Sequence, residues 1–215
     1  MENKEITQRR KMSGKTMRLV LSGVMLALAT VLSLSPFELP FGGTVTLASM
    51  VPIIFICRTY GFRWGMLSAT AYGLIQMILG AKNFSYVTTL IAVVAVALFD
   101  YIAAYGFISL SALTRKMKNS TLGIVLGVLI ACTARYICHV VVGAVVWKQW
   151  ASLEPIPEFL HGTAFAAENT NLFFWTYSAF YNASFMLPET IITLIAAVAI
   201  FKLIPKKIGE LGNTL

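Results

Sequence analysis

The amino-acid sequence predicts an all-α membrane protein with six transmembrane helices and both termini in the cytoplasm. Its 215 residues are 58% hydrophobic and 12% charged, with a mean hydropathy of +0.77. This is too apolar for a soluble domain of that size. Long apolar runs alternate with short polar connections, and the basic residues gather at the ends of the runs. The net charge of +8 is therefore typical of membrane topology, and we expect no nucleic-acid partner.

Six apolar segments are bounded by polar, basic or glycine- and proline-rich residues. They cover residues 17–34, 45–57, 64–79, 86–113, 122–147 and 173–203. The first is long for a signal peptide and lacks a clear cleavage site, so we expect it to remain as a membrane helix. The stretch SPFELPFGG ends it, because its two prolines and its pair of glycines disfavour a continuous helix. Residues 1–16 are then a basic cytoplasmic N-terminus, 17–204 a single six-helix transmembrane domain, and 205–215 a cytoplasmic tail.

The later segments have their own start and stop signals. The second is interrupted by Pro52 and ends at Arg58, and the third ends at Gly80. The fourth ends in the basic cluster at residues 115–118, and the fifth is followed by a long polar and aromatic connection. The sixth contains Pro188, where we expect a bend, because proline lacks a backbone donor.

The distribution of lysine and arginine predicts the orientation. With the N-terminus inside, 14 of the 17 basic residues fall in cytoplasmic segments. The outer connections contain Lys82 and Lys148, and Arg135 lies within the fifth span. The positive-inside rule therefore favours six crossings of a cell membrane.

Several function classes lack their sequence signals. The chain has no GxxxxGK[ST] loop, dinucleotide fingerprint, HExxH helix or nucleophile elbow. Cys57, Cys132 and Cys138 all lie in apolar runs, which is typical of inert buried thiols. We therefore expect no enzyme, no cofactor and no metal site, and any uphill transport would draw on an ion gradient or a partner.

The stretch RYICHVVVGAVVWKQW in the fifth span is the strongest candidate for a binding-site wall. It places Arg135, His139, Gly143 and Trp147 four residues apart, so they share one helical face. Asp100 lies at similar depth in the fourth span, where an unpaired carboxylate costs ~3 kcal/mol. Polar groups at this depth predict a protein interior or a wet cavity.

Each of these residues has two interpretations. Asp100 and Arg135 either form a structural ion pair, or Asp100 accepts hydrogen bonds from a ligand while Arg135 holds its carboxylate ionised. His139 is equally consistent with a buried core histidine and with a ligand contact. Trp147 suits an aromatic belt, or one side of a cage for a cationic or flat heteroaromatic ligand.

The sixth span adds further candidates. It opens with FFWTYSAFYNASF, where Tyr177 is followed five residues later by Asn182. An amide inside the membrane is more plausible facing a cavity than facing lipid. Glu189 directly follows the proline of this span, and it either lines the cavity or stabilises the bend.

Five stretches in order carry a family resemblance. They are SLSP at the end of the first helix, PIIFICRTYG across the second, FDYIAAY in the fourth, RYICHVVVGAVVWKQW in the fifth and TYSAFYNASF opening the sixth. With them the chain resembles the thiamine-specific substrate-binding subunits, or S components, of energy-coupling factor (ECF) transporters. The resemblance implies a six-helix bundle that holds thiamine near the outer face, between aromatic rings and a carboxylate.

The resemblance also implies roles for individual residues. The carboxylate on the aminopyrimidine would be Asp100, with Tyr101 beside it and a basic residue, Arg135, nearby. Contacts to the ligand would come from His139, Trp147, Tyr177 and Asn182.

Two positions depart from the family pattern. Asp100 is one methylene shorter than the expected glutamate, and Gly43 stands near an expected tryptophan that Phe37 or Phe41 would have to replace. The second and third outer connections are also longer than those of the family.

S components dock on a membrane scaffold subunit that two cytosolic ATPases drive, so the resemblance implies these partners. In the family the docking surface is a small-residue face of the first helix, which here carries Gly23 and Ala27. The same spacing also suits close helix packing within the chain.

We thus expect a multi-pass protein of a bacterial cell membrane that captures thiamine from outside. Alternatives are another vitamin or precursor, an autonomous ion-coupled transporter that uses Asp100, Arg135 and Glu189 as a proton relay, and a membrane enzyme.

Overall fold

The fold is a bundle of six principal helices, seen in a computed structural model that describes residues 14–34, 39 and 43–203. The helices are α1 Gly14–Ser33, α2 Met50–Tyr60, α3 Phe62–Leu79, α4 Leu90–Thr114, α5 Ser120–Val145 and α6 Asn171–Leu203. Short 3₁₀ turns at Ala81–Tyr86, Trp147–Trp150, Glu158–Leu160 and Ala164–Ala166 lie in the connections. The predicted all-α class is confirmed. Residues 14–16 of the predicted N-terminus 1–16 belong to α1, whereas residues 1–13, Phe37, Phe41 and the predicted tail 205–215 lie outside the described ranges.

Four of these helices, α1, α4, α5 and α6, are long and apolar enough to cross a membrane. By comparison α3 has 18 residues and α2 only 11, against ~20 for an upright crossing. The second predicted segment is wrong at both ends, since the helix begins at Met50 and continues to Tyr60. Pro52 does not interrupt it, because it lies in the first turn, where the missing backbone donor has no helical partner to lose.

The short helix α2 lies at the centre of the bundle. Nine of its eleven residues are buried, and Ile53, Ile54 and Ile56 have no exposed surface. They belong to the main hydrophobic core, together with residues of α3, α5 and α6. At the other extreme, only Ser22 and Ala29 of α1 are buried, so α1 lies at the edge of the bundle.

The helix α4 changes conformation along its length. It is α-helical over Leu90–Ala95, π-helical over Val96–Ala103 and 3₁₀-helical over Phe107–Thr114. A π-helical turn contains an extra residue, and such turns occur frequently at functional sites. Here the π-helical part carries Asp100 and Tyr101.

The helix α6 is continuous through Pro188. The next residue, Glu189, is 1% exposed and accepts hydrogen bonds from Thr46 N (2.6 Å) and Thr46 Oγ1 (2.6 Å). These bonds join two segments 143 residues apart and hold the chain that precedes α2 against α6. Glu189 thus anchors the segment that precedes α2, a role that neither sequence interpretation named.

Candidate functional site

A cavity lies between α4, α5 and α6, and its rim comes from residues 43–44, the 3₁₀ turn that contains Asn83, and Trp150. The volume of the cavity that water-sized molecules can enter is about 100 Å³. Because one water occupies roughly 10–15 Å³ by this measure, the space suits a small organic molecule. The lining contains seven predicted site residues: Asp100, Tyr101, Arg135, His139, Trp147, Tyr177 and Asn182.

Asp100 is held by two donors from α5 and the turn after it. His139 Nδ1 lies 2.8 Å from Asp100 Oδ1, and Trp147 Nε1 donates to Asp100 Oδ2 at 3.1 Å. The side chains of Asp100 and His139 remain 15% and 12% exposed, so they can still be reached from the cavity. Asp100 and Trp147 therefore lie on the same side of the bundle.

Arg135 contacts the carboxylate through His139. Its Nε donates to His139 Nε2 at 3.3 Å, and its Nη2 donates to the Tyr105 hydroxyl at 3.1 Å. Its guanidinium carbon also lies 4.4 Å from the centre of the Tyr105 ring. An imidazole thus lies between Asp100 and Arg135, two residues that the sequence suggested as a direct pair.

Aromatic side chains of α6 form the opposite wall. Tyr177 and Tyr181 stack with ring centres 5.8 Å apart, and Phe185 lies edge-on to both Tyr181 and His139 at 6.0 Å. Tyr181 and Phe185 were not among the predicted site residues, although both continue the four-residue spacing that starts at Tyr177. Among aromatics near a membrane interface, that spacing was the only available signal.

Gly43, near which the sequence resemblance implies a tryptophan, has no room for a large side chain. A Cβ atom on Gly43 would lie 2.7 Å from Phe185 Cδ1 and 3.2 Å from the Tyr181 hydroxyl. Phe185 already occupies that part of the wall.

Tyr101 lines the cavity, but its hydroxyl group faces the connection between α3 and α4. It donates to Gly80 O at 3.3 Å and accepts from Asn83 Nδ2 at 3.2 Å, and its ring stacks on Phe84. At the rim, Trp150 packs edge-on against Tyr86 with centres 6.0 Å apart. These contacts join the ends of α3, α4 and α5 that lie next to the cavity.

Asn182 is 5% exposed, and its amide nitrogen donates to Ser178 O at 2.8 Å. The same nitrogen also donates to Ser178 Oγ at 3.2 Å, so both of its N–H groups have partners on α6. The two candidate docking residues lie elsewhere, since Gly23 and Ala27 are exposed on α1 and a Cβ atom on Gly23 would meet nothing within 4 Å.

The site thus combines a carboxylate held by two donors, a neighbouring buried cation and stacked aromatic rings. A carboxylate accepts N–H donors, and electron-rich rings attract cations. The arrangement suits a flat, positively charged ligand that carries N–H groups.

Comparisons with known proteins agree with this chemistry. The chain is 27% identical over 207 residues to the thiamine transporter ThiT of Bacillus subtilis (strain 168), which covers 90% of this chain and 95% of that protein. A solved structure of ThiT from Listeria monocytogenes has the same fold, with a TM-score of 0.67 and 21% identity, and the match covers 90% of this chain and 98% of that one. The model of the family described as thiamine transporter protein (Thia_YuaJ) matches residues 19–208. These findings confirm the resemblance seen in the sequence: the chain is a multi-pass membrane protein that belongs to the thiamine transporter protein family.

Proposed function

We propose that this chain is the thiamine-binding S component of an ECF transporter and that the cavity between α4, α5 and α6 holds the vitamin. Asp100 carries the proposal, since His139 and Trp147 hold its carboxylate at the edge of a cavity lined by aromatic rings. Family membership and the name of the Bacillus subtilis relative support thiamine as the ligand.

Thiamine has two recognition groups that match the two halves of the cavity. A carboxylate offers about four acceptor positions, and His139 and Trp147 use two of them. The remaining positions accept N–H groups of the aminopyrimidine. The permanently charged thiazolium ring lies among Trp147, Tyr177 and Tyr181, where cation–π attraction contributes about 2 kcal/mol when water is excluded.

We propose the orientation that the charges predict, with six crossings and both termini inside. Basic residues gather where α2 meets α3 and where α4 meets α5, at Arg58, Arg63 and residues 115–118. The cavity lies towards the other end of α4, near the long connection that carries Glu154 and Glu158. A ligand therefore enters from outside.

Delivery into the cell would depend on the ECF scaffold subunit and its two ATPases. The exposed small-residue face of α1, with Gly23 and Ala27, is the proposed docking surface. Close approach of helices in a membrane favours small residues at the contact.

The test separates binding from delivery. Isothermal titration calorimetry on purified protein should give submicromolar thiamine affinity, and Asp100→Asn and Trp147→Ala should each weaken it by about tenfold or more, because each removes a charge-assisted or cation–π contact. Ala27→Leu should leave the affinity unchanged, yet lower thiamine uptake about tenfold in cells that contain an ECF module.

Two results would contradict the proposal. Unchanged affinity in both cavity variants would remove the site. Uptake driven by a pH gradient in vesicles that contain this chain alone would favour an ion-coupled transporter instead.

A further inference from the structure

Three side chains on two helices form a continuous hydrogen-bonded series in the wall of the cavity. Arg135 and His139 lie one turn apart on α5, with Arg135 Nε 3.3 Å from His139 Nε2. Across the interface with α4, His139 Nδ1 lies 2.8 Å from Asp100 Oδ1. The order of groups is thus guanidinium, imidazole and carboxylate.

The donors and acceptors of these three side chains are compatible with only one placement of the protons. Arginine N–H groups can only donate, so His139 Nε2 accepts and carries no proton. His139 Nδ1 therefore carries the ring proton and donates it to Asp100 Oδ1. The indole nitrogen of Trp147 also can only donate, so both oxygens of Asp100 act as acceptors.

Arg135 is fixed independently of any ligand. It is 5% exposed, and its Nη1 and Nη2 lie 3.2 Å from Met50 Sδ and 3.1 Å from the Tyr105 hydroxyl. Contacts from α2 and α4 thus set the direction of its Nε–H bond. Because that bond faces His139, the protein scaffold selects the tautomer of the imidazole.

We propose that Arg135 is a positioning residue that locks His139 as its Nδ1–H tautomer, so that Asp100 offers the cavity acceptor positions only. Both nitrogens of His139 are then occupied, and the imidazole meets a ligand through its ring. The site selects ligands that donate N–H groups to Asp100 and disfavours ligands that present an acceptor there. The tautomer itself follows from the geometry, while its effect on thiamine rests on the proposed function.

The tautomer can be measured without a ligand. The chain contains two histidines, so a His161→Gln background leaves His139 as the only imidazole. In ¹⁵N-histidine-labelled protein in lipid nanodiscs, long-range ¹⁵N–¹H correlation spectra should show a protonated Nδ1 and an unprotonated Nε2. Arg135→Lys should keep this pattern because it retains a donor, whereas Arg135→Met should lose it. Arg63→Met, at an exposed arginine of α3, is the matched control and should not alter the spectrum.

Calorimetry on the same proteins links the tautomer to binding. Arg135→Met should weaken thiamine binding by about tenfold, with partial recovery in Arg135→Lys. A protonated Nε2 in the parent protein, or an unchanged spectrum in Arg135→Met, would overturn the inference. If Arg135→Met does not fold, a protonated Nε2 in the parent or the Arg135→Lys protein still overturns the inference. The expected spectrum without thiamine binding would overturn the proposed function alone.

Discussion

Gly143 sets the distance between α5 and α6 beside the cavity. A Cβ atom there would collide with Ser178 Oγ and lie 3.2 Å from Asn182 Nδ2. Ser178 Oγ donates to Val140 O at 2.8 Å, so its hydroxyl already belongs to the contact between the helices. The absence of a side chain therefore lets the polar face of α6 lie directly against α5.

We expect Gly143→Ala to separate the helices, lower stability by about 1–3 kcal/mol and weaken thiamine binding, because overpacking displaces Ser178 and Asn182. Thermal unfolding and calorimetry in detergent would measure both effects. Gly23→Ala is the matched control, since its added methyl group meets nothing within 4 Å. Equal behaviour of the two variants would show that the close approach at Gly143 has no energetic role.

At the scale of elements, the π-helical part of α4 determines which side chains reach the cavity. It spans Val96–Ala103, and a glycine of α3, Gly73, packs directly against its backbone. A Cβ atom on Gly73 would lie 2.6 Å from Tyr101 O. A π-helical turn holds more residues than an α-helical turn, so the direction of the Asp100 side chain differs from the one that an unbroken α-helix would give it.

Deletion of Ala97 should remove the extra residue of the π-helical turn and convert it to α-helix, which changes the direction of the Asp100 side chain relative to the rest of α4. We expect thiamine affinity to fall at least about tenfold while far-UV circular dichroism retains the helical content. Ala97→Ser keeps the residue count and should bind as the parent does. Retained affinity in the deletion variant would mean that the π-helical turn does not position Asp100.

For the whole molecule, the placement of charge decides orientation. Basic residues cluster where α4 meets α5, and glutamates occur in the connection between α5 and α6. The three cysteines are buried and free of disulfides, so they offer little background to a thiol reagent. Orientation can therefore be tested with single added cysteines.

We expect Glu158→Cys to react with a membrane-impermeant maleimide in intact cells, because it lies exposed in the proposed outer connection. Lys116→Cys, exposed between α4 and α5, should react only after the membrane is permeabilised. The opposite pattern, or equal labelling of both, would contradict the proposed topology.

Sequence alone was enough for the helical class, for most helix positions and for the grouping of Asp100, His139 and Trp147. Four-residue spacing places side chains on one helical face whatever the neighbours are, and a carboxylate at membrane depth needs partners. The ends of α2 could be predicted less well, because proline is compatible with the first turn of a helix and unfavourable further in.

Only the tertiary structure decided how these residues meet. His139 lies between Arg135 and Asp100, and Glu189 binds Thr46, because packing of α2, α5 and α6 sets distances across the bundle. Phe185 fills the space beside Gly43 for the same reason. The local pattern of a sequence determines the face on which a side chain lies, whereas its partner on another helix depends on how the whole bundle packs.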